Sequence, residues 1–210
     1  MERAGVSALH VVKSGDAGQM QESDRQQVLA AIRHAHAQAA LVWVSLHTHQ
    51  AEGDPERPSA FEVQLAHDAI DAGADLFIAH GPHLLRGIEI YKGHVIFYSL
   101  GNFAVMQPLA RINPTPLVLP PGSVFTRRAF FESVLATGRY DHGRISEVRL
   151  YPFELNPSDE PHAHGLPQAV TPEAGRATLE RMQRLSRALG TSMSLEDGVG
   201  VIHVSTRRSR

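Results

Sequence analysis

Two stretches, LVWVSLHTHQ at residues 41–50 and DLFIAHGPH at residues 75–83, decide the fold of this 210-residue chain. Each begins with a short apolar run, the pattern of a strand buried on both faces in a parallel sheet, and each ends in histidines. Between them, AFEVQLAHDAIDAG (60–73) has apolar residues at helical spacing, with Ser59 as a candidate N-cap and Gly73 as the stop. This order predicts a βαβ unit.

The rest of the chain predicts further helices and strands around this unit. Ser7–Val12 is prone to form a strand, and the proline-rich stretch at 112–122 is not expected to be regular. We therefore expect an α/β fold, with one domain over residues 1–205 and a basic tail over 206–210. The other predicted elements are a helix at about 24–39, hairpins at 87–100 and 129–155, a helix from about 171 to 189 and a last strand at 198–204.

Composition excludes several classes of protein. The formal net charge of -2 and the pI near 6.7 give no basic field, so we expect no nucleic-acid partner. There is no cysteine, so a metal must be held by His, Asp, Glu or Asn. The chain begins without a signal-peptide pattern and has no apolar run approaching the ~20 residues of a membrane span, so it is expected to be soluble. The compartment stays open, since a longer parent protein could be associated with the cell envelope.

Four histidines follow the two predicted strands and form the strongest chemical signal. His47 and His49 are two positions apart, so both point to one face if the strand geometry persists. His80 and His83 are separated by Gly-Pro, which favours a tight turn. Because ligands bind outside the carboxyl ends of parallel strands, we expect all four at one edge of the sheet. Neutral imidazole suits Zn, Fe or Mn, so the sequence predicts a metal site there.

Other polar residues are weaker candidates. His34 and His36 lie on different faces of a helix and are expected to be solvated. Asp16, in SGDAG, is interpreted as a loop cap, while Glu52 and Asp54 could reach the pocket but are more typical of solvated loop carboxylates.

Further residues near the cluster leave two interpretations open. Asn102 could line the pocket or simply form a turn, and Arg86 could meet an anionic substrate or be structural. Four aromatic residues are expected to be structural, in the core or closing the sheet edge: Trp43, Phe77, Tyr98 and Phe103.

The strings SLHTHQAEG (45–53) and AFEVQLAHDAIDAGADLFIAHGPHLLRGIEIYKGHVIFYSLGNF (60–103) are also recognisable. They resemble the central and C-terminal signature of the CapA family of poly-γ-glutamate capsule biosynthesis, in the calcineurin-like metallophosphoesterase superfamily. The IDAGAD run, the GPH turn, the GIEIYKG hairpin and YSLGNF occur in family order and spacing. The resemblance covers about Leu41 to Phe103.

This resemblance implies an α/β/β/α sandwich with a two-metal centre at the strand ends. By motif position, His47 looks like the superfamily's lone metal-binding histidine, and His80 and His83 look like its paired histidines. His49, beside them, is the catalytic candidate. The chain departs from the family at Ala79, where glycine is usual. It also lacks the family's Gly-Asp, Asn-x-Glu and Asn-Asn-His motifs, so the sandwich is expected to be partial and without its N-terminal strands.

The missing motifs limit the functional expectation. Three neutral histidines bring no negative charge to offset the repulsion between two dications, so we expect at most one weakly held divalent ion (Mn, Fe or Zn). The resemblance implies a metal-dependent hydrolase or phosphoesterase of capsule biosynthesis, with an incomplete site in this chain. The alternatives are a non-catalytic remnant or accessory binding protein of capsule synthesis, and a histidine-rich domain without metal. Expected partners are a polyanionic polymer, a small phosphorylated or acyl substrate, or capsule-synthesis proteins.

Overall fold

The structure, a computed structural model, describes residues 20–51, 53–105, 128–141, 143–157, 163 and 165–204. Within these ranges it contains three α-helices and nine strands, with one short 3-10 helix at Arg128–Phe131. The helices are α1 (Glu22–His36), α2 (Ala60–Asp71) and α3 (Pro172–Arg187). The strands are β1 (Trp43–His47), β2 (Leu76–His80), β3 (Leu85–Tyr91), β4 (His94–Leu100), β5 (Glu132–Asp141), β6 (Arg144–Leu155), β7 (Pro167–Gln168), β8 (Ser194–Glu196) and β9 (Val199–His203).

The first sheet has four strands in the order β1-β2-β4-β3. β1 and β2 are parallel and connected through α2, so the predicted βαβ unit is confirmed. β2 is also parallel to β4, and β4 pairs with β3 as an antiparallel hairpin. Since β1 and β2 run in the same direction, their carboxyl ends, and the residues that follow them, lie at one edge of the sheet.

Helices α1 and α2 cover one face of this sheet. α2 begins at the predicted cap, where the Ser59 hydroxyl accepts a hydrogen bond from the Glu62 amide, and it ends before Gly73. An ion pair between Arg25 and Asp68, 2.7 Å apart, joins the two helices. Apolar side chains of both helices and the sheet form one buried cluster that includes Phe77, which has no exposed surface.

The opposite face of the first sheet shares a second core with the other sheet, ordered β5-β6-β9-β8 with β7 beside β6, and with α3. α3 also lies along the edge strand β3, where the Ser186 hydroxyl accepts a hydrogen bond from the Ile88 amide. Gly87 makes this possible, because a Cβ there would lie 2.5 Å from the Leu185 carbonyl oxygen. The architecture is α/β with two sheets, as expected, and is compatible with a partial α/β sandwich.

Most predicted elements are confirmed, with bounds shifted by a few residues, but the expectation that Trp43 lies in the core is wrong. Trp43 is 62% exposed and Phe103 is 69% exposed, whereas Phe77 and Tyr98 are fully buried. The expectation that β1 is buried on both faces is also wrong, because alternate residues of this edge strand are exposed. The reason is topological: β1 has a paired neighbour on one side, β2, among the described strands.

Some expectations fall outside the described residues. These are the strand at Ser7–Val12, Asp16, Glu52, the proline-rich stretch and the tail at 206–210. No α-helix in the described ranges is long and apolar enough to span a membrane.

Candidate metal centre

The site is built where β1 and β2 end. The two strands pair in parallel with His47 directly opposite His80, the last residue of each strand. Residues directly opposite in neighbouring strands lie on the same face, so strand pairing alone places these two imidazoles side by side. Both residues are exposed at the rim of the sheet.

The structure brings together all four histidines that the sequence singled out. The ring centroids of His47 and His49 are 4.9 Å apart, those of His47 and His80 are 4.9 Å apart, and those of His49 and His83 are 5.3 Å apart. The rings therefore form a continuous row, which we call the histidine row: His80, His47, His49 and His83. Imidazoles from two separate stretches of chain thus converge at one rim, as the sequence predicted.

A close backbone contact joins the two loops that carry the row. The Thr48 amide donates a hydrogen bond of 2.8 Å to the His80 carbonyl oxygen. Gly81 has φ +120°, and a Cβ on this residue would lie 2.5 Å from the Thr48 carbonyl oxygen. Only glycine fits this position without moving one of the loops. The Gly of the HGPH turn is therefore what allows the loops to approach.

His83 is held by Asn102, which lies in the GNF turn after β4. Asn102 donates from Nδ2 to the carbonyl oxygens of His83 and Phe130, at 3.3 and 3.0 Å, which fixes the orientation of its amide. Its Oδ1 therefore faces His83 Nδ1 at 2.7 Å and accepts the proton of that nitrogen. In the neutral ring this tautomer leaves the lone pair on Nε2, the arrangement that carbonyl partners give to metal-binding histidines.

Asn102 has a second effect on His83. The backbone of His83 has φ 59°, a conformation that costs a non-glycine residue free energy. The bond from Asn102 to the His83 carbonyl offsets part of this cost, and Asn102 is itself anchored by the Ser133 hydroxyl, which donates to its carbonyl oxygen at 2.6 Å. Asn102 therefore contacts His83, a member of the histidine row, from its position in the turn.

Two histidines of the row have lowered pKa values. Burial lowers the pKa of His49, and the neighbouring His83 and His47 lower it further. Partial desolvation by its neighbours likewise lowers the pKa of His80, although the residue is exposed as a whole, with a further contribution from His47. A lower pKa favours the neutral imidazole at pH 7, which is the protonation state that binds a metal ion.

The atoms of the row are close but are not yet arranged as a coordination shell. His47 Nε2 and His49 Nε2 are 3.0 Å apart, so one of them donates a hydrogen to the other. His80 Nε2 lies 3.0 Å from the Ser45 hydroxyl. Within the described ranges, no group of three or more His, Asp or Glu side chains is placed so that it could hold a metal ion. The rings would have to rotate to share one ion.

Arg86 does not have the substrate contact considered for it, whereas Asp54 is a loop carboxylate, the role that the sequence favours. Arg86 is fully buried, so the suggested contact with an anionic substrate is wrong. The Asp54 carboxylate accepts from the Glu56 amide at 3.0 Å and lies 3.6 Å from Arg57 Nε, so its contacts are within its own loop. Sequence reasoning also missed Ser45, although its i, i+2 spacing to His47 in β1 places both on one face.

Comparison with known proteins gives relatives that are longer than this chain. The uncharacterised protein y4sH of Sinorhizobium fredii is 34% identical over 207 residues, covering 86% of this chain and 45% of that protein. The capsule biosynthesis protein CapA of Bacillus anthracis is 41% identical over 75 residues, covering 36% of this chain and 18% of that protein. The PGA biosynthesis protein CapA of Bacillus subtilis is 42% identical over 96 residues, covering 46% and 25%. The chain thus spans less than half the length of these relatives.

A family model gives the broader match. It describes a bacterial capsule synthesis protein, PGA_cap, and it matches residues 3–107, half of the 210-residue chain. The matched segment contains α1, β1, α2, β2, β3, β4 and most of the candidate site, including all of the histidine row. This chain therefore belongs to the PGA_cap family of bacterial capsule synthesis proteins.

Proposed function

We propose that this chain supplies a divalent-metal-binding histidine cluster to a metal-dependent hydrolase, of the phosphoesterase type, that acts in the synthesis of a poly-γ-glutamate capsule. One observation carries the proposal: four imidazoles from the carboxyl ends of two neighbouring parallel strands form a continuous row of ring contacts. The row lies outside the carboxyl ends of parallel strands, which is where open α/β sheets bind their ligands.

The distances between the imidazole nitrogens meet some of the requirements of a bound metal ion. Two nitrogen ligands of a tetrahedral zinc ion, each at ~2.0–2.1 Å, lie about 3.3 Å from each other. His47 Nε2 and His49 Nε2, which share a hydrogen bond, are 3.0 Å apart; this is close to that separation and supports His49 as a further ligand. In His83 the Nδ1 proton is held by Asn102, so Nε2 carries the lone pair that would bind an ion. We infer that His47, His80 and His83 are ligands and that His49 is the catalytic candidate or a further ligand.

A divalent ion at this position would act as a Lewis acid on a phosphoryl or acyl oxygen and would lower the pKa of water. The protein's own contribution is to hold the rings in place and to favour the neutral form of two of them, His49 and His80. Partial burial lowers the pKa of His49 and of His80 and so favours their neutral form, the form that can bind an ion or act as a base. The histidines bring no negative charge, so the proposal includes one weakly held ion, not a two-ion centre.

Metal analysis of the purified protein tests the proposal. The wild type is compared with the variant His80→Ala, His83→Ala after dialysis against Mn²⁺, Fe²⁺ or Zn²⁺. The matched control is His34→Ala, His36→Ala, which removes two histidines of α1, remote in the fold from the rim. We expect metal in the wild type and the control and its loss in the rim variant. Equal metal content in all three proteins, or no metal in the wild type, would refute the proposal.

A second candidate is a non-catalytic accessory protein of capsule synthesis that binds another protein or the polymer. Two observations favour it: no ready coordination shell exists among the described side chains, and Trp43 of the edge strand β1 is 62% exposed. This candidate predicts capsule-related binding without hydrolysis of phosphate esters. Hydrolysis of a generic aryl phosphate by the metal-loaded wild type, and not by the rim variant, would exclude it.

A further inference from the structure

A buried arginine lies beneath the loop that follows the first two histidines. Arg86, in β3, has no exposed surface, and its guanidinium makes three hydrogen bonds. Nη2 donates to the Gln50 carbonyl oxygen at 2.7 Å, Nε donates to the Pro55 carbonyl oxygen at 3.0 Å, and Nη1 donates to Glu62 Oε2 at 2.6 Å. One side chain thus joins β3, the start of α2 and both sides of the loop after β1.

These bonds bear directly on His49. The residue before it, Thr48, is fixed through its amide to the His80 carbonyl, and the residue after it, Gln50, is fixed through its carbonyl to Arg86. The loop beyond Thr48 is not part of the sheet, so strand pairing does not position His49. Its backbone is held between the neighbouring strand β2 on one side and a buried guanidinium on the other.

The ion pair with Glu62 explains why a charge can be buried here. Glu62 is also fully buried, and its Oε2 is the acceptor of the Arg86 bond. Burial lowers the pKa of Arg86, and Glu62 counteracts this effect. A lysine could keep the charge next to Glu62, but a single ammonium cannot reproduce a planar guanidinium that spans two carbonyls and a carboxylate. The geometry, in addition to the charge, is therefore what the loop requires.

We propose that Arg86 is a positioning residue: it clamps the loop at Gln50 and Pro55 and so holds His49 against the other rings of the histidine row. The effect of Arg86 on metal binding rests on the proposed function. The clamp itself is a statement about the loop and can be tested without metal.

The experiment compares wild type, Arg86→Lys and the control Arg25→Lys. Arg25 also makes charged hydrogen bonds to two carboxylates, Asp68 and Glu22, but it joins α1 and α2 at a distance from the loop. Amide hydrogen exchange of the metal-free proteins is measured at Thr48, Gln50 and Arg57, whose amides are hydrogen-bonded within or beside the loop. Titration with Co²⁺, monitored through the visible absorption of the bound ion, measures the affinity of the protein for Co²⁺ and reports the coordination of the ion.

We expect Arg86→Lys to fold and its loop amides to exchange about tenfold faster than those of the wild type. It should bind Co²⁺ ~10- to 100-fold more weakly and with an altered spectrum. Arg25→Lys should change neither the exchange rates nor the binding of Co²⁺. If Arg86→Lys does not fold, the double variant Glu62→Met, Arg86→Met replaces the ion pair with apolar volume and serves in its place. Wild-type exchange and Co²⁺ binding in a folded Arg86 variant would overturn the inference, as would equal effects of Arg25→Lys. If the wild type fails to bind Co²⁺, the proposed function fails, and the exchange data alone decide the clamp.

Discussion

The substitution Gly81→Ala separates the effect of a close contact from the effect of backbone conformation. The added Cβ would lie 2.5 Å from the Thr48 carbonyl oxygen and 3.0 Å from its carbon, both backbone atoms that cannot move independently. The φ of +120° adds strain of roughly 2 kcal/mol for alanine. Moving the loops apart to relieve the contact would break the hydrogen bond from the Thr48 amide to the His80 carbonyl, about 1 kcal/mol.

Together these terms, with the residual contact, give a destabilisation of about 4 kcal/mol, or a midpoint of thermal unfolding lower by roughly 8–16 °C for a chain of this size. The matched control is Gly190→Ala, at φ +80° with no atom within 4 Å of the added Cβ. It should cost only about 1 kcal/mol, since it isolates the conformational strain. Thermal unfolding followed by circular dichroism measures both, and titration with Co²⁺ should show weaker binding for Gly81→Ala alone. Equal midpoints for the two variants would show that the loops do not depend on this contact.

Three further outcomes are expected. Asn102→Leu removes the acceptor for His83 Nδ1 and the two N–H donors to the His83 and Phe130 carbonyls, so it should lower the stability by about 2–3 kcal/mol and the metal affinity by ~10- to 100-fold. Asn102→Asp keeps the acceptor and should retain most of the metal affinity. Burial raises the pKa of Glu62 to about 7, above its ordinary 4.5, although the paired Arg86 guanidinium opposes this rise, so the contribution of Glu62 to stability is complete below pH 4.5 and is lost as the pH rises through 7 and the carboxyl ionises beside Arg86. Urea unfolding should show the wild type losing up to about 3 kcal/mol relative to Glu62→Gln from pH 4.5 to 8, and a constant difference would contradict this. Trp43, the sole tryptophan, lies on the same face of β1 as His47 at a distance of about 13 Å, so saturable quenching of its fluorescence by Cu²⁺ is expected in the wild type and not in the double alanine variant of the rim.

The local elements were predictable because their signals are local. The apolar run before His47, the Ser59 cap and the Gly73 stop specify a strand, a helix start and a helix end through interactions within a few residues. From these the βαβ unit follows, and parallel pairing then brings His47 opposite His80. The histidines therefore converge because β1 and β2 run in the same direction, and the order strand, helix, strand in the sequence is enough to predict that direction.

The contacts of Arg86 and Asn102 that hold the histidines in place could not be predicted from local sequence patterns. Arg86 lies 36 residues from Gln50 and was considered for a substrate contact, because nothing adjacent to it in sequence shows that its guanidinium lies beneath a loop. Asn102 lies 19 residues from His83, and its turn-forming composition gave no preference between a pocket and a structural role. Trp43 was assigned to the core because its run is apolar, yet its exposure depends on which strands flank β1.

The sequence by itself determined the α/β class, the order of the elements around the site and the four histidines at the ends of β1 and β2, because periodicity, caps and turns act over a few residues. Only the tertiary structure decided that Gly81 allows the two loops to touch, that Asn102 sets the tautomer of His83 and that Arg86 holds the loop beside His49. The physical reason is that these roles depend on distance and burial between residues far apart in the chain. A strand's composition indicates that it will be buried or paired, but the fold selects which side chain reaches which atom.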